Sequence, residues 1–250
     1  MESKWALVAR LRIYMSTLFN TGVGNTIITV LKDVFFPAQC LNCGVEGSFV
    51  CSTCFQTLDC SGVFCCPVCH EQTDEGRYCD ACNICYIDRH MAIILYKEDG
   101  LVGKILHAFK YQYIEDIKNI LEKIILVFLN TYHVDVDIII PVPLHKRRYV
   151  ERGFNQSQII AKIVGRGLSV SVEFILKRSR HTKQQAKLKR GERLKNLKNA
   201  FTLKDKIDIK DKKILLIDDV FTTCSTVQEC AKVLKAAGAK EVVSFSIARG

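Results

Sequence analysis

Eleven of the thirteen cysteines lie between Cys40 and Cys85, and this crowding limits what the front of the chain can become. Four pairs share a two-residue gap: Cys40 with Cys43, Cys51 with Cys54, Cys66 with Cys69, and Cys79 with Cys82. Such a gap lets two sulfurs from one turn reach a single tetrahedral ion at about 2.3 Å, and a second pair closes the site. Eight ligands make two zinc sites. The simplest pairing is sequential, Cys40/Cys43/Cys51/Cys54 and Cys66/Cys69/Cys79/Cys82, and a crossed pairing fits the spacing too. Cys65 and Cys85 blur the register, because Cys82 and Cys85 repeat the same gap. Four thiolates leave no open position for water, so the role is structural. The competing readings are disulfides and buried free thiols. The first 36 residues hold no signal peptide, since Arg10, Arg12, Lys32 and Asp33 interrupt their apolar runs. None of those runs approaches the roughly 20 apolar residues of a membrane span. The expectation is a cytoplasmic chain, whose reduced thiols favour metal over disulfides.

The cysteine-rich stretch is poor in aliphatic residues and cannot build its own core, so metal must supply its stability. Hydrophobic residues nevertheless make up 48% of the 250-residue chain and charged ones 25%, which excludes a disordered protein. Three segments follow: 1–36, 37–88 and 89–250. In the first, Leu7, Leu11, Met15, Leu18 and Phe19 share a helical face that suits docking, with few basic residues to favour a membrane surface. In the third, helices alternate with strands. Leu101, Val102, Ile105, Leu106 and Phe109 form one helical face, and Ile117, Ile120, Leu121, Ile124, Ile125 and Phe128 another. The runs 138–140, 214–217 and 242–247 read as strands buried on both sides. A helix over 227–237, closed by Gly238 in the left-handed conformation, joins the last two. The fold class is α/β, an open and mostly parallel sheet flanked by helices, with the small zinc module in front.

The net charge of +10 is concentrated: residues 177–213 carry 15 Lys or Arg against four acids. A local surface of this kind is commonly a solvated face, and it also suits a polyanion, either a phosphorylated small molecule or nucleic acid.

The chain from Ile214 reads Ile-Leu-Leu-Ile-Asp-Asp-Val-Phe-Thr-Thr-Cys-Ser-Thr. Asp218 and Asp219 end a buried strand, the place where open α/β sheets bind ligands. Two adjacent carboxylates need hydroxyl or cation partners, which a sugar with magnesium nearby would provide. Val220 and Phe221 lead into Thr222, Thr223, Cys224, Ser225 and Thr226, where hydroxyls and amides gather at a helix start and suit a phosphate. The plain alternative is a capped helix behind an ordinary strand. Upstream, Lys146, Arg147 and Arg148 follow the strand at 138–140, and Arg152, Asn155 and Gln156 lead into the next helix. Cations at a strand end suit pyrophosphate, whereas Asn155 or Ser157 equally makes an N-cap.

The thirteen-residue word resembles the phosphoribosyl pyrophosphate motif of type I phosphoribosyltransferases. That resemblance gives Asp218 and Asp219 the ribose hydroxyls, and Thr222, Thr223, Ser225 and Thr226 the 5-phosphate. The family carries glycine where this chain has Cys224, whose side chain disfavours a left-handed backbone. The combination of cysteine pairs, Phe109-Lys110-Tyr111, Pro141-Val142-Pro143, Arg152-Gly153-Phe154-Asn155-Gln156, Thr182, Gln185, Leu188, Glu192-Arg193, Asn196 and Ala200-Phe201 resembles the ComF family, over about residues 36–250. The resemblance implies a phosphoribosyltransferase-like protein associated with DNA uptake in natural competence. Its ligand would be phosphoribosyl pyrophosphate with magnesium, and its further partners single-stranded DNA or a DNA-uptake helicase. Residues 180–201 take the place of the mobile hood of related transferases, with Gln185 and Arg193 facing the ligand. Pentosyl transfer and non-catalytic binding both stay open.

Overall fold

The computed structural model describes residues 37–82, 86–111, 115–179, 199–204 and 208–250, and the elements below are those of the described residues. The anticipated N-terminal helix, Cys85, Gln185 and Arg193 lie outside them. Two compact units emerge, one of residues 1–58 with 98–120 and the other of 59–97 with 121–250. Residues 59–97 fall in the unit that holds the sheet.

In the first unit, α1 (Ser52–Gln56) begins at Cys51, whose sulfur accepts from the Cys54 amide. Helix α2 (Leu101–Tyr111) buries Leu101, Val102, Ile105, Leu106 and Phe109, the face set by their spacing. Helix α3 (Glu115–Thr131), whose residues divide between the two units at Ile120, opens with Glu115 and Asp116, which complement its positive N-terminal end.

The second unit holds a five-stranded sheet. Its strands are β1 (Val63–Phe64), β2 (Arg89–Leu95), β3 (Ile138–Pro141), β6 (Lys213–Phe221) and β7 (Glu241–Arg249), in the order β1-β2-β7-β6-β3. Only β1 runs antiparallel to its neighbour, and the other pairings are parallel. Burial follows the expected continuous runs. All of β7 after Glu241 is buried, and its serines are satisfied locally, Ser246 Oγ donating to the Ala248 carbonyl at 3.0 Å. Strand β2 is one that the sequence reading does not anticipate; it pairs along its length with β7, more than 150 residues away. A second, antiparallel pair, β4 (Leu176–Arg178) with β5 (Phe201–Leu203), brackets the anticipated hood and forms its stem.

Three helices complete this unit. Helix α4 (Lys146–Arg152) ends at Gly153 in the left-handed conformation, which only glycine adopts freely. Helix α5 (Gln156–Leu168) buries Ile160, Ile163 and Val164, and α6 (Ser225–Ala236) buries Val227, Cys230, Ala231 and Leu234. Gly238 follows α6 with φ of 94°, as expected of a helix stop. The parallel strands β3 and β6 are adjacent, so their carboxyl ends deliver Pro141 and Asp218 to the same edge of the sheet.

Candidate ligand site and metal clusters

Strand β6 changes character at Asp218: Ile214 to Ile217 are buried, and Asp218, Asp219 and Val220 are half-buried. Asp218 Oδ1 accepts from the Ser157 hydroxyl at 3.1 Å and from the Asp219 amide at 2.9 Å. Asp219 Oδ1 accepts from the Val220 amide at 2.7 Å. The acid pair is thus held by short local bonds at the mouth of the sheet.

Phe221 closes the strand with its ring in the core at 1% exposure, so this residue offers the site only its backbone. Thr222 is exposed, and Thr223 Oγ1 and Ser225 Oγ share a hydrogen bond of 3.1 Å. Cys224 caps α6 with φ 53° and ψ −6°. The turn therefore takes the left-handed conformation that the family's glycine would favour, and the cysteine adopts it against its steric preference.

The word after β3 contributes in two ways. Asn155, 4% exposed, is the N-cap of α5: its side chain accepts from the Ser157 amide at 3.1 Å and donates to the Val142 carbonyl at 3.0 Å. It ties the end of β3 to the helix that carries Ser157, and through Ser157 to Asp218. Arg152 Nη1 donates to Gln156 Oε1 at 3.1 Å. Arg147 is an exposed helix-surface cation held by Glu151 at 3.1 Å, a pair of small energetic weight.

Arg148 has a different neighbourhood. Burial holds the Arg178 guanidinium below its usual range, Arg148 adds to this, and Asp218 opposes it, so these three groups share one electrostatic environment. Arg178 is 8% exposed and lies over the Phe201 ring at 5.5 Å. It is a residue that sequence reading missed, since within a basic run only tertiary structure shows which cation turns inward. A cavity of about 240 Å³ opens here, with Lys146, Tyr149, Phe174, Lys177, Arg178 and Lys204 in its wall and no acid among its lining.

The cysteines converge as the sequential pairing anticipates. Cys40, Cys43, Cys51 and Cys54 form one cluster, Cys66, Cys69, Cys79 and Cys82 the other, with the sulfurs of each all within 4.8 Å of one another. Cys43 and Cys51 sulfurs lie 3.7 Å apart, and those of Cys69 and Cys79 3.5 Å. A tetrahedral ion with 2.3 Å bonds needs edges of about 3.8 Å. Left to themselves the thiols divide. Burial pushes Cys40 up, but backbone groups of Cys43, Cys51 and Asn42 bring it down to about 6. The Asn42 amide draws Cys54 down, yet burial and the neighbouring sulfurs push it up to about 12. Cys66 and Cys82 repeat this contrast: Cys66 comes down to about 6 against burial, through backbone hydrogen bonds, and Cys82 rises to about 12 through burial and its neighbours. Four thiolates this close need a cation, and both donor sets fit one zinc ion.

No helix among the described residues is long and apolar enough to cross a membrane. Residues 155–250 match the family described as the phosphoribosyl transferase domain. The chain is 30% identical over 205 residues to competence protein F of Haemophilus influenzae, covering 74% of this chain and 90% of that protein. It is also 30% identical over 212 residues to competence protein ComFC of Streptococcus pneumoniae, covering 82% and 89% respectively. With the DNA utilization protein YhgH of Escherichia coli (strain K12) it shares 33% identity over 156 residues, 59% of this chain and 67% of that one. Identity at this level over nine-tenths of competence protein F extends well beyond the shared transferase domain, and the chain belongs to the ComF family.

Proposed function

We propose that this chain binds phosphoribosyl pyrophosphate with magnesium, in a protein that serves DNA uptake or the use of imported DNA. The observation that carries the reading is the pairing of Asp218 and Asp219 at the end of a parallel strand with a left-handed turn that opens α6. The carboxylates accept from the sugar hydroxyls, and the turn from Thr222 to Thr226 presents amides and hydroxyls to the 5-phosphate. Lys146, Arg148, Arg152 and Gln156 serve the pyrophosphate; Gln185 and Arg193, assigned to the hood by the family resemblance, lie outside the described residues. Magnesium, when bound with the ligand, neutralises part of the pyrophosphate charge. Both cysteine clusters hold structural zinc. The names of the relatives, competence protein and DNA utilization protein, support the cellular role.

Calorimetry with zinc-loaded protein, phosphoribosyl pyrophosphate and magnesium tests the binding. The double variant D218N/D219N is expected to lose binding and keep its fold; unchanged affinity overturns the assignment. Release of pyrophosphate in the presence of candidate bases or amines then separates transfer from binding alone.

The acid-free cavity favours a second reading, in which single-stranded DNA lies along the basic wall with Tyr149 and Phe174 beside it. Such binding weakens steeply between low and physiological salt; affinity indifferent to salt rules out a phosphate-backbone contact.

A further inference from the structure

Arg249 is the largest fully buried side chain among the described residues, 1% exposed, and no carboxylate of those residues pairs with it. A buried guanidinium without a counter-charge is strongly unfavourable. Its donors go elsewhere: Nη1 to the Cys65 carbonyl at 3.3 Å and Nη2 to the Cys66 carbonyl at 2.7 Å. Cys66 belongs to the second metal cluster. Four thiolates and one divalent ion sum to −2, so a loaded cluster places negative charge beside Arg249.

The guanidinium also meets the end of β6. It lies over the Phe221 ring at 5.1 Å, and that ring stacks on fully buried His90 at 3.6 Å with 22° between planes. His90 Nδ1 and Ser244 Oγ share a hydrogen bond of 2.7 Å, which fixes the imidazole from β7. Phe221 is also pinned through its backbone, its carbonyl accepting from the Gly250 amide at 2.9 Å. The next residue in the chain is Thr222, the first of the hydroxyl turn. A continuous packed path thus runs from the second cluster through Arg249 and Phe221 to the turn.

We infer that Arg249 is a positioning residue that couples the second zinc cluster to the hydroxyl turn, so that loss of that one ion loosens the turn and weakens the ligand it holds. The inference rests on the phosphoribosyl pyrophosphate reading for its ligand end only. Loss of the ion releases the loop that carries the Cys65 and Cys66 carbonyls, the two acceptors of the Arg249 guanidinium, and so loosens the side chain that packs on Phe221.

The full-length, zinc-loaded protein tests this by three measurements: zinc release to a chromophoric chelator, amide hydrogen exchange over residues 221–226, and phosphoribosyl pyrophosphate affinity by calorimetry. In R249M, release of one of the two zinc equivalents is expected to quicken at least about tenfold, with exchange over 221–226 faster to a similar extent. R249K keeps the charge and is expected to recover part of both. Because R249M removes a buried side chain and can fail to fold, C69S opens the second cluster with Arg249 intact; its exchange over 221–226 is expected to rise, while C43S, which opens the first cluster, leaves it at the wild-type rate. Wild-type exchange over 221–226 in C69S, or equal deprotection by C43S, overturns the coupling. If wild-type protein fails to bind phosphoribosyl pyrophosphate, the ligand reading falls, and exchange and zinc release still decide the coupling.

Discussion

Cys224 stands with φ 53° at the cap of α6, where an L side chain is disfavoured by roughly 1–2 kcal/mol. Glycine would relieve that strain, although its freer unfolded chain takes back part of the gain. C224G is therefore expected to stabilise the protein by up to about 1 kcal/mol, read from the urea midpoint, and to bind phosphoribosyl pyrophosphate more tightly by calorimetry. His90 carries a different consequence. Burial, with the Arg249 charge behind it, holds its imidazole well below the ordinary 6.5, so it is neutral in the folded chain. The unfolded chain takes up the extra proton as pH falls below 6.5. Stability from this residue is present above pH 6.5 and is lost as pH drops toward the folded value, at up to about 1.4 kcal/mol per pH unit. Melting of wild type and H90N between pH 7.5 and 5.5, at fixed zinc, is expected to show the steeper fall in wild type. Cys224 was visible in the sequence as a departure from glycine, whereas nothing in the sequence singled out His90; the left-handed backbone of one and the burial of the other came from their neighbours.

The amino end of α5 shows how an element positions a site. Asn155 caps the helix and holds the Val142 carbonyl, and Ser157 two residues along reaches Asp218. N155A removes the cap, worth about 1 kcal/mol, and strands a buried carbonyl, for a total loss of about 2–3 kcal/mol in denaturant unfolding. S157A keeps the cap and frees Asp218; the expected result is near-native stability with ligand affinity lowered several-fold. The capping reading of Asn155 was legible because an Asn before an apolar helix is a local signal. Strands β6, β7 and β3 were legible for a similar reason, as apolar runs too continuous for a surface. Strand β2 was not, since its partner β7 lies at the opposite end of the chain, nor was the β4–β5 stem, whose three-residue strands carry too little periodicity.

For the chain as a whole, the two four-cysteine clusters are the places where bound zinc would stabilise segments too poor in aliphatic residues to build a core. Stripping zinc with a strong chelator is expected to release two equivalents per chain and to lower the melting temperature, with recovery on adding zinc back; a single equivalent would mean that one cluster does not hold metal. The two clusters belong to different compact units, the first with residues 98–120 and the second with the sheet. What the sequence determined by itself was local: cysteine gaps that suit a tetrahedral ion, buried runs that must be strands, and an acid pair followed by hydroxyls. Each depends on spacing of a few residues, which the covalent chain sets directly. Only the tertiary structure decided which cysteine pairs converge in one cluster, which cation of the basic run turns inward, and that the Phe221 ring packs between His90 and Arg249 instead of facing the candidate site. Those choices depend on burial and on contacts between segments as much as 184 residues apart, which no short stretch of sequence encodes.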